Sequence, residues 1–373
     1  MKIGILGGGQ LARMLCLKGH ELGEEVHILS EKKEDPAAQV TPNWHQGSYH
    51  DKAQLIKFIN QVDLITFESE FVDCQFLKKI ASHKVFHPSL DNLLQFQDRW
   101  TQKNLFLKYK LPTATFRKID SQEELKTLGP LFNYKYVLKK RYGGYDGYET
   151  YICKNQKQHQ KWLVFFAKEN RPLNLIIEDF IPFEKELAVQ FFRNERNEFV
   201  HLPLVESKQK DSKCDWIKGP IEHKAFPAIL KKVKNLMLTE NYVGTLAFEF
   251  FSYQGQLLIN ESAPRVHNSG HYSLNHPAGD QFGLHLKAIT QKKLYLPLAE
   301  LRKYSFVMTN LIGQSTQKIV FPNDLLGHLH WYGKTENRKG RKMGHINWIT
   351  SFSPKNSDKL LQTALKERKK IKL

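Results

Sequence analysis

The stretch TLAFEFFSYQGQLLINESA, residues 245–263, decides the reading of this chain. Two apolar segments meet at Gln254-Gly255, a pair suited to a tight turn, so the stretch is predicted to be a β-hairpin. Glu249 and Glu261 sit one on each arm, each inside apolar sequence. A charged carboxylate there is costly unless it is paired or binds a metal. Across a turn near 254–255, positions summing to about 510 lie opposite each other, which sets the two glutamates face to face. Facing carboxylates repel unless a cation lies between them. Mg²⁺ carrying a nucleotide's phosphates fits, because it binds through one or two carboxylates plus phosphate oxygens. Asn260 adds another oxygen ligand.

Working outward, the next residues are Ala263-Pro264-Arg265-Val266-His267-Asn268-Ser269-Gly270-His271. Arg265 can hold a planar oxyanion with two hydrogen bonds. His267, Asn268 and Ser269 can hydrogen-bond a small carboxylate-like ion. Upstream, Lys139 ends a predicted strand and YGGYDG (142–147) follows. A lysine facing a glycine-rich loop suits the α- and β-phosphates of ATP, although the GxxxxGK[ST] pattern is absent. Glu178-Asp179-Phe180-Ile181 ends another strand in a way that could hold adenine and ribose, and Glu186 follows. Near the C-terminus GKTENRKGRKMGH concentrates Lys334, Arg338, Lys339, Arg341 and Lys342. Dense basic residues with glycines suit a phosphate monoester. An exposed basic turn or a nucleic-acid patch would show the same charge, but no aromatic residue is interleaved between Lys334 and Lys342 to stack bases.

The N-terminal part has a different texture. KIGILG (2–7), EVHILS (25–30) and DLITF (63–67) read as short buried strands alternating with helical stretches, which implies βαβ units and a parallel sheet. Gly7-Gly8-Gly9 opens the first helix, and with Ala12 it satisfies the G-x-G-x-x-G/A dinucleotide pattern. Glu31 lies where a ribose-binding acid would be. An oxidoreductase is one reading of this loop, but a helix N-terminus behind glycines suits any phosphorylated ligand. Residues 96–108 read as one connecting helix with Asp98 as a possible N-cap. Beyond about residue 110 the pattern is that of a small α+β unit. From about 195, EFVHLPLVE and the hairpin read as long antiparallel strands. The last ~70 residues give short strands, a basic loop (331–345) and a basic terminal helix.

The chain has 373 residues, 41% hydrophobic and 25% charged, enough for two or three packed domains and inconsistent with disorder throughout. No apolar run reaches the ~18 residues of a membrane span, and the opening MKIGILGGGQLARML is read as a cytoplasmic start. Cys16, Cys74, Cys153 and Cys214 are widely spaced, which argues against a disulfide framework or a zinc site. With 56 Lys+Arg against 38 Asp+Glu the net charge is +18. Such a surface attracts anions of many kinds and does not choose among them.

Taken together, ILGGGQLARM, TFESE, QDRWTQKNLF followed by LPTA, KKRYGGYDG, EDFIPFEKE, YVGTLAFEFF, NESAPRVHNSGH and YGKTENRKGRKMGH resemble one family. It is that of the N5-carboxyaminoimidazole ribonucleotide synthetases, ATP-grasp ligases of purine biosynthesis. The resemblance implies an α/β and α+β ATP-grasp fold. An N-terminal Rossmann-like parallel-sheet domain (1–108), a small central lid domain (109–184) and a C-terminal α+β domain (185–373) would compose it. It implies that ATP phosphorylates bicarbonate to carboxyphosphate, and that the amine of 5-aminoimidazole ribonucleotide (AIR) then takes the carboxyl group. Carried over by position, Arg99, Lys139, Glu178, Asp179, Phe180, Ile181, Glu186 and Asn260 would contact ATP, and Glu249 and Glu261 would bind Mg²⁺. Arg265, His267, Asn268 and Ser269 would hold bicarbonate. Gln10, Glu68, Tyr145, Asp146, Lys334, Arg341 and Lys342 would surround AIR, with Asp146 accepting its proton and Lys334 steadying the carboxylating species. A cytoplasmic homodimer without nucleic-acid or membrane partners is the expected context; another ATP-grasp carboxylate–amine ligase is the alternative. Three places depart from the family pattern: Ala12 for a glycine, Tyr148-Glu149 for a basic residue and a glycine, and Phe71 for an asparagine.

Overall fold

Short apolar strands separated by helices build a parallel sheet only when both faces are covered, and the N-terminal part does this. The computed structural model describes residues 1–143, 149–168, 172–317, 319–353 and 356–372. Strands β1 (Lys2–Leu6), β2 (Glu25–Ser30), β3 (Trp44–Gln46), β4 (Leu64–Phe67) and β5 (Val85–Phe86) form a parallel sheet in the order β3-β2-β1-β4-β5. Helices α1 (Gln10–Glu21), α2 (Lys52–Ile59) and α3 (Cys74–Ile80) connect them. Ile3, Ile5, Val26 and Ile28 face one core, and Leu6, Leu29, Ile65 and Phe67 face the other.

The connecting helix expected over 96–108 is two helices, α4 (Leu90–Gln97) and α5 (Arg99–Lys108). Asp98 breaks it: its backbone is extended, and its carboxylate accepts from the Trp100 amide. That is the preference of an N-cap asparagine or aspartate at work.

The next sheet is antiparallel, in the order β6-β9-β7-β8, from β6 (Phe116–Ile119), β7 (Tyr136–Lys140), β8 (Thr150–Cys153) and β9 (Leu175–Asp179). Helices α6 (Gln122–Leu131) and α7 (Gln156–Phe166) cover one side. Strand β6 and helix α6 were absent from the sequence reading.

The largest sheet follows the order β15-β14-β10-β12-β13-β16-β18-β17, with β11 beside β10. Its strands are β10 (Lys185–Arg193), β11 (Phe199–His201), β12 (Val205–Lys210), β13 (Lys213–Gly219), β14 (Gly244–Tyr253), β15 (Gln256–Ala263), β16 (Tyr304–Ile312), β17 (His328–Trp331) and β18 (Lys342–Ser351). Helix α8 (Phe226–Thr239) packs on one face and α9 (Gln281–Ile289) bridges to the N-terminal sheet; α10 (Leu298–Leu301) and α11 (Asn356–Arg368) follow. The strand expected across EFVHLPLVE breaks into β11 and β12 around Pro203, which has no N–H to give a ladder. The C-terminal strands are not short: β16 and β18 run nine and ten residues, and β18 absorbs the end of the expected basic loop.

The N-terminal and large sheets are joined through a buried histidine. Thr66 Oγ1 donates to His87 O, so it accepts from His285 Nε2–H at 2.9 Å, while His285 Nδ1 accepts from the Thr245 amide at 3.2 Å. Burial pushes His285 down to about 3, so the ring stays neutral in the folded chain. A folded value below the ordinary one means its stability contribution is complete above pH ~6.5 and is lost as pH falls, because the unfolded chain takes the proton first. Between pH 7.5 and pH 5 this group alone removes about 2 kcal/mol. Thermal unfolding followed over that range should fall steeply for the wild type and less steeply for His285→Gln; parallel curves would contradict this.

Candidate functional site

The hairpin turns as expected. Gln254 and Gly255 both have positive φ, +49° and +72°, as a two-residue type I′ turn requires. Pairing starts at Tyr253 with Gln256 and reaches Phe250 with Ile259. Continued unbroken, that register would put Asn260 opposite Glu249. A bulge intervenes, and Glu249 pairs with Glu261. The extra residue lets Asn260 and Glu261 line the same cavity as Glu249, while Phe248, Phe250, Leu257 and Ile259 stay in the core.

That cavity, about 680 Å³, opens between the small and large sheets and reaches the N-terminal one. At its inner end lies a network of charges. Arg99 Nη2 donates to Glu261 Oε2 at 3.0 Å. Lys139 Nζ donates to Glu178 Oε2 at 3.0 Å and to Asn260 Oδ1 at 2.8 Å. Burial alone would raise both carboxyls, but the cations outweigh it: Lys103 and Lys139 hold Glu178 at about 2, and Arg99 and Lys139 keep Glu261 below the ordinary range. Both are therefore ionised at neutral pH. Val137, Ile152, Phe180, Ile181, Phe183 and Phe251 form an apolar slot beside Asp179 and Glu186, and the Phe183 and Phe251 rings stack at 4.5 Å. A flat base fits such a slot.

The oxyanion pocket adjoins the carboxylate pair. Arg265 is held by Glu70, with Nε to Oε2 at 2.5 Å and Nη2 to Oε1 at 3.2 Å. His267 Nε2 lies 3.7 Å from Glu249 Oε1, and its Nδ1 meets Ser269 Oγ at 2.8 Å. Ser269 Oγ also accepts from Gln190 Nε2, and Asn268 makes a reciprocal amide pair with Asn310. The side chains of Asn268 and Ser269 are thus committed to the protein as well as lining the cavity.

The glycine loop behaves differently from either sequence reading. Glu68 Oε2 accepts from the Gly9 amide at 2.5 Å, and Oε1 from those of Leu11 and Ala12 at 3.1 and 3.5 Å. The N-terminus of α1 is filled by the protein's own carboxylate, in the place a dinucleotide pyrophosphate or another phosphate would need. A Cβ on Gly9 would sit 2.4 Å from Glu68 Oε1, so a side chain there would push the carboxylate off these amides. Glu31 lies instead in a separate small cavity with Gly7, Gly8 and Gly9. Ala12 is fully buried against the N-terminal core, so its extra methyl is accommodated.

Gln10, Glu68, Phe71 and Lys342 line the main cavity; Lys334 and Arg341 stand outside its lining. Lys334 Nζ donates to Lys342 O at 2.8 Å, and Arg341 Nη1 to Glu336 O. Burial and the neighbouring Arg341 push Lys334 down to about 8 against the pull of Glu68. Tyr145, Asp146 and Tyr148 fall outside the described residues. Glu149, where the family has glycine, has φ +58°, a left-handed backbone, and its carboxylate pairs with Lys140 at 2.5 Å. The sequence reading missed Glu70 and Lys103. Glu70 lay within the quoted TFESE and Lys103 within QDRWTQKNLF, on the face of α5 that buries Gln102, Leu105 and Phe106.

Arrangement and sheet order define an ATP-grasp enzyme. The ATP-grasp domain model matches residues 104–282, the ribonucleotide synthetase preATP-grasp domain model residues 1–97, and the phosphoribosylaminoimidazole carboxylase C-terminal domain model residues 307–357. The N5-carboxyaminoimidazole ribonucleotide synthase of Synechococcus elongatus is 35% identical over 366 residues, 92% of this chain and 88% of its own length. That of Saccharolobus solfataricus is 32% identical over 349 residues, 93% and 91%. Among solved structures, the Staphylococcus aureus synthetase complexed with ADP superposes with a TM-score of 0.86 at 27% identity, covering 98% of this chain and 96% of that one. The Aspergillus clavatus enzyme in complex with ADP and 5-aminoimidazole ribonucleotide gives 0.82 at 27%, covering 99% and 98%. The chain belongs to the N5-carboxyaminoimidazole ribonucleotide synthetase family. It is an ATP-dependent ligase that carboxylates AIR in purine biosynthesis.

Glu186 offers a test of the site's electrostatics. Burial raises its carboxyl to about 7, opposed by the Gln209 amide and Lys208. A raised folded value contributes stability below the ordinary carboxylate range and loses it as pH climbs through 7. Glu186→Gln should therefore be more stable than the wild type by about 2–3 kcal/mol at pH 8, with the gap closing by pH 5. Equal melting temperatures at pH 8 would refute the assignment.

Proposed function

We propose that ATP lies in the cavity with its base in the Phe180–Phe183–Phe251 slot and its phosphates toward Lys139 and Arg99. The observation that carries this is the in-register pair Glu249 and Glu261, set by the bulge beside the Arg265 pocket. Among the described residues no group of three His, Cys, Asp or Glu could hold a metal by itself. Two carboxylates are a fitting half-shell for a Mg²⁺ that arrives on phosphate oxygens. Glu249 and Glu261 would hold it, and it would neutralise charge on the transferring phosphoryl group.

In this reading Arg265, aimed by Glu70, and His267 orient bicarbonate, whose oxygen attacks the γ-phosphorus as ADP leaves. Gln10, Glu68 and Lys342 face AIR, and Arg341 and Lys334 supply positive charge behind them. The AIR amine bonds to the carboxyl carbon as phosphate departs, and Asp146 takes the amine proton. Carboxyphosphate is short-lived in water, so the enclosing walls matter as much as the charges. The three sheets are taken as three domains, 1–108, 109–184 and 185–373. A cytoplasmic homodimer completes the proposal on the family resemblance.

Purified protein given Mg²⁺, ATP and bicarbonate should release ADP only when AIR is added. Glu261→Gln should lower that rate by about 100-fold or more while the protein stays folded by circular dichroism. ADP release indifferent to AIR, or undiminished in the variant, would overturn the assignment.

A further inference from the structure

Below the phosphate end of the cavity lies a cation with no place in the chemistry just described. Lys103 on α5 is 1% exposed and does not line the cavity. Its Nζ donates to Thr113 Oγ1 at 2.6 Å and to Ile259 O at 3.3 Å, and lies 3.4 Å from Glu178 Oε1. The Thr113 hydroxyl hydrogen is directed at Ile259 O, 2.8 Å away. Nζ therefore faces three oxygens: two accept its hydrogen bonds, and the third, Glu178 Oε1, meets it as an ion pair. An ammonium has three donors for them, whereas the lone pair of a neutral amine would meet only other lone pairs. Burial lowers Lys103 to about 8, with Glu178 and Glu261 opposing and Lys139 reinforcing that fall, so the charge is retained at neutral pH.

The oxygens that Lys103 holds are the ones that aim Lys139. Glu178 is shared, with Oε1 toward Lys103 and Oε2 accepting from Lys139. Ile259 immediately precedes Asn260, whose Oδ1 also accepts from Lys139. Lys103 thus ties α5 to β9 of the small sheet and to β15 of the large one, at the seam where the cavity lies. A burden shared by two lysines would fall mainly on one if Lys103 were neutral: the charge of Glu178 would then draw on Lys139, with Arg99 the remaining cation acting on it, in competition with phosphate.

We infer that Lys103 is a positioning residue for ATP, holding Glu178 and the Asn260 segment so that the Lys139 ammonium is presented to the phosphates. This rests on reading the cavity as the ATP site. AIR and bicarbonate meet other walls and are not governed by it.

The test combines steady-state kinetics with ADP titration calorimetry on the wild type, K103M, K103R and K139M. K103M should raise KM for ATP and weaken ADP binding by about 10-fold or more, with KM for AIR and bicarbonate changed less than about 2-fold. K103R, which keeps the charge, should recover most of the loss. Should K103M not fold, Thr113→Val removes one of the three oxygens and should give a smaller, still ATP-selective rise. Wild-type ADP affinity in K103M, or in Thr113→Val if that is the variant in hand, overturns the inference when K139M has lost binding. A uniform rise in all three KM values overturns it too, because that marks a structural role. If K139M also binds ADP as the wild type does, the reading of the cavity itself has failed.

Discussion

Ionised carboxylates at the edge of a protein core are tolerated only when cations stand next to them, and the centre of this molecule is arranged around that constraint. Glu178 and Glu261 lie among Arg99, Lys103 and Lys139, which arrive from a helix and from the small sheet. Neither side of this network is stable alone. For the buried Glu178, removing a partner typically costs about 3–5 kcal/mol, because it strands the other charge in low dielectric; the pair of Arg99 with the half-exposed Glu261 is partly relieved by solvent. The same network that holds the small sheet against the large one therefore leaves an ionised, cation-rich surface facing an open cavity. In the reading proposed above, a nucleotide with its metal brings a net negative charge to this surface, and Arg99 and Lys139 are the cations that would face it.

The bulge in β15 is the local device on which this geometry turns. An unbroken two-residue hairpin would have set Asn260 against Glu249 and turned Glu261 toward the phenylalanine core. One inserted residue brings both acids to one wall and keeps Ile259 in the core. The N-terminal glycine loop shows the opposite economy. Its glycines bring the backbone close to Glu68, so a fingerprint shared with dinucleotide-binding folds here fixes an acid at the cavity's edge. The motif describes a close approach of backbone to an anion; whether the anion is a ligand or a side chain depends on the neighbouring strand.

Much of this was legible in the sequence. Alternating strands and helices gave the parallel sheet, and Gln254-Gly255 gave the hairpin because only residues at ease with positive φ serve there. The opposition of Glu249 and Glu261 was anticipated, although a register counted from the turn alone is one residue short of it and the bulge makes up the difference. What stayed hidden was long-range. Lys103 looks like any helical lysine until Thr113, Glu178 and Ile259 are folded around it, and Glu70 becomes the partner of Arg265 only across 195 positions of sequence. Capping of α1 by Glu68 is likewise a contact between segments, which no local pattern encodes. Asp98 shows the converse: its capping preference was visible, but the helix before it was not separated from the helix after it.

The most direct measurement is a crystal grown with ADP and Mn²⁺ and measured at the manganese absorption edge. The account predicts one anomalous peak between the Glu249 and Glu261 carboxylates, with the diphosphate beside Lys139 and Arg99. Nucleotide bound instead at the Gly7–Gly9 loop, or a metal peak remote from both glutamates, would contradict it.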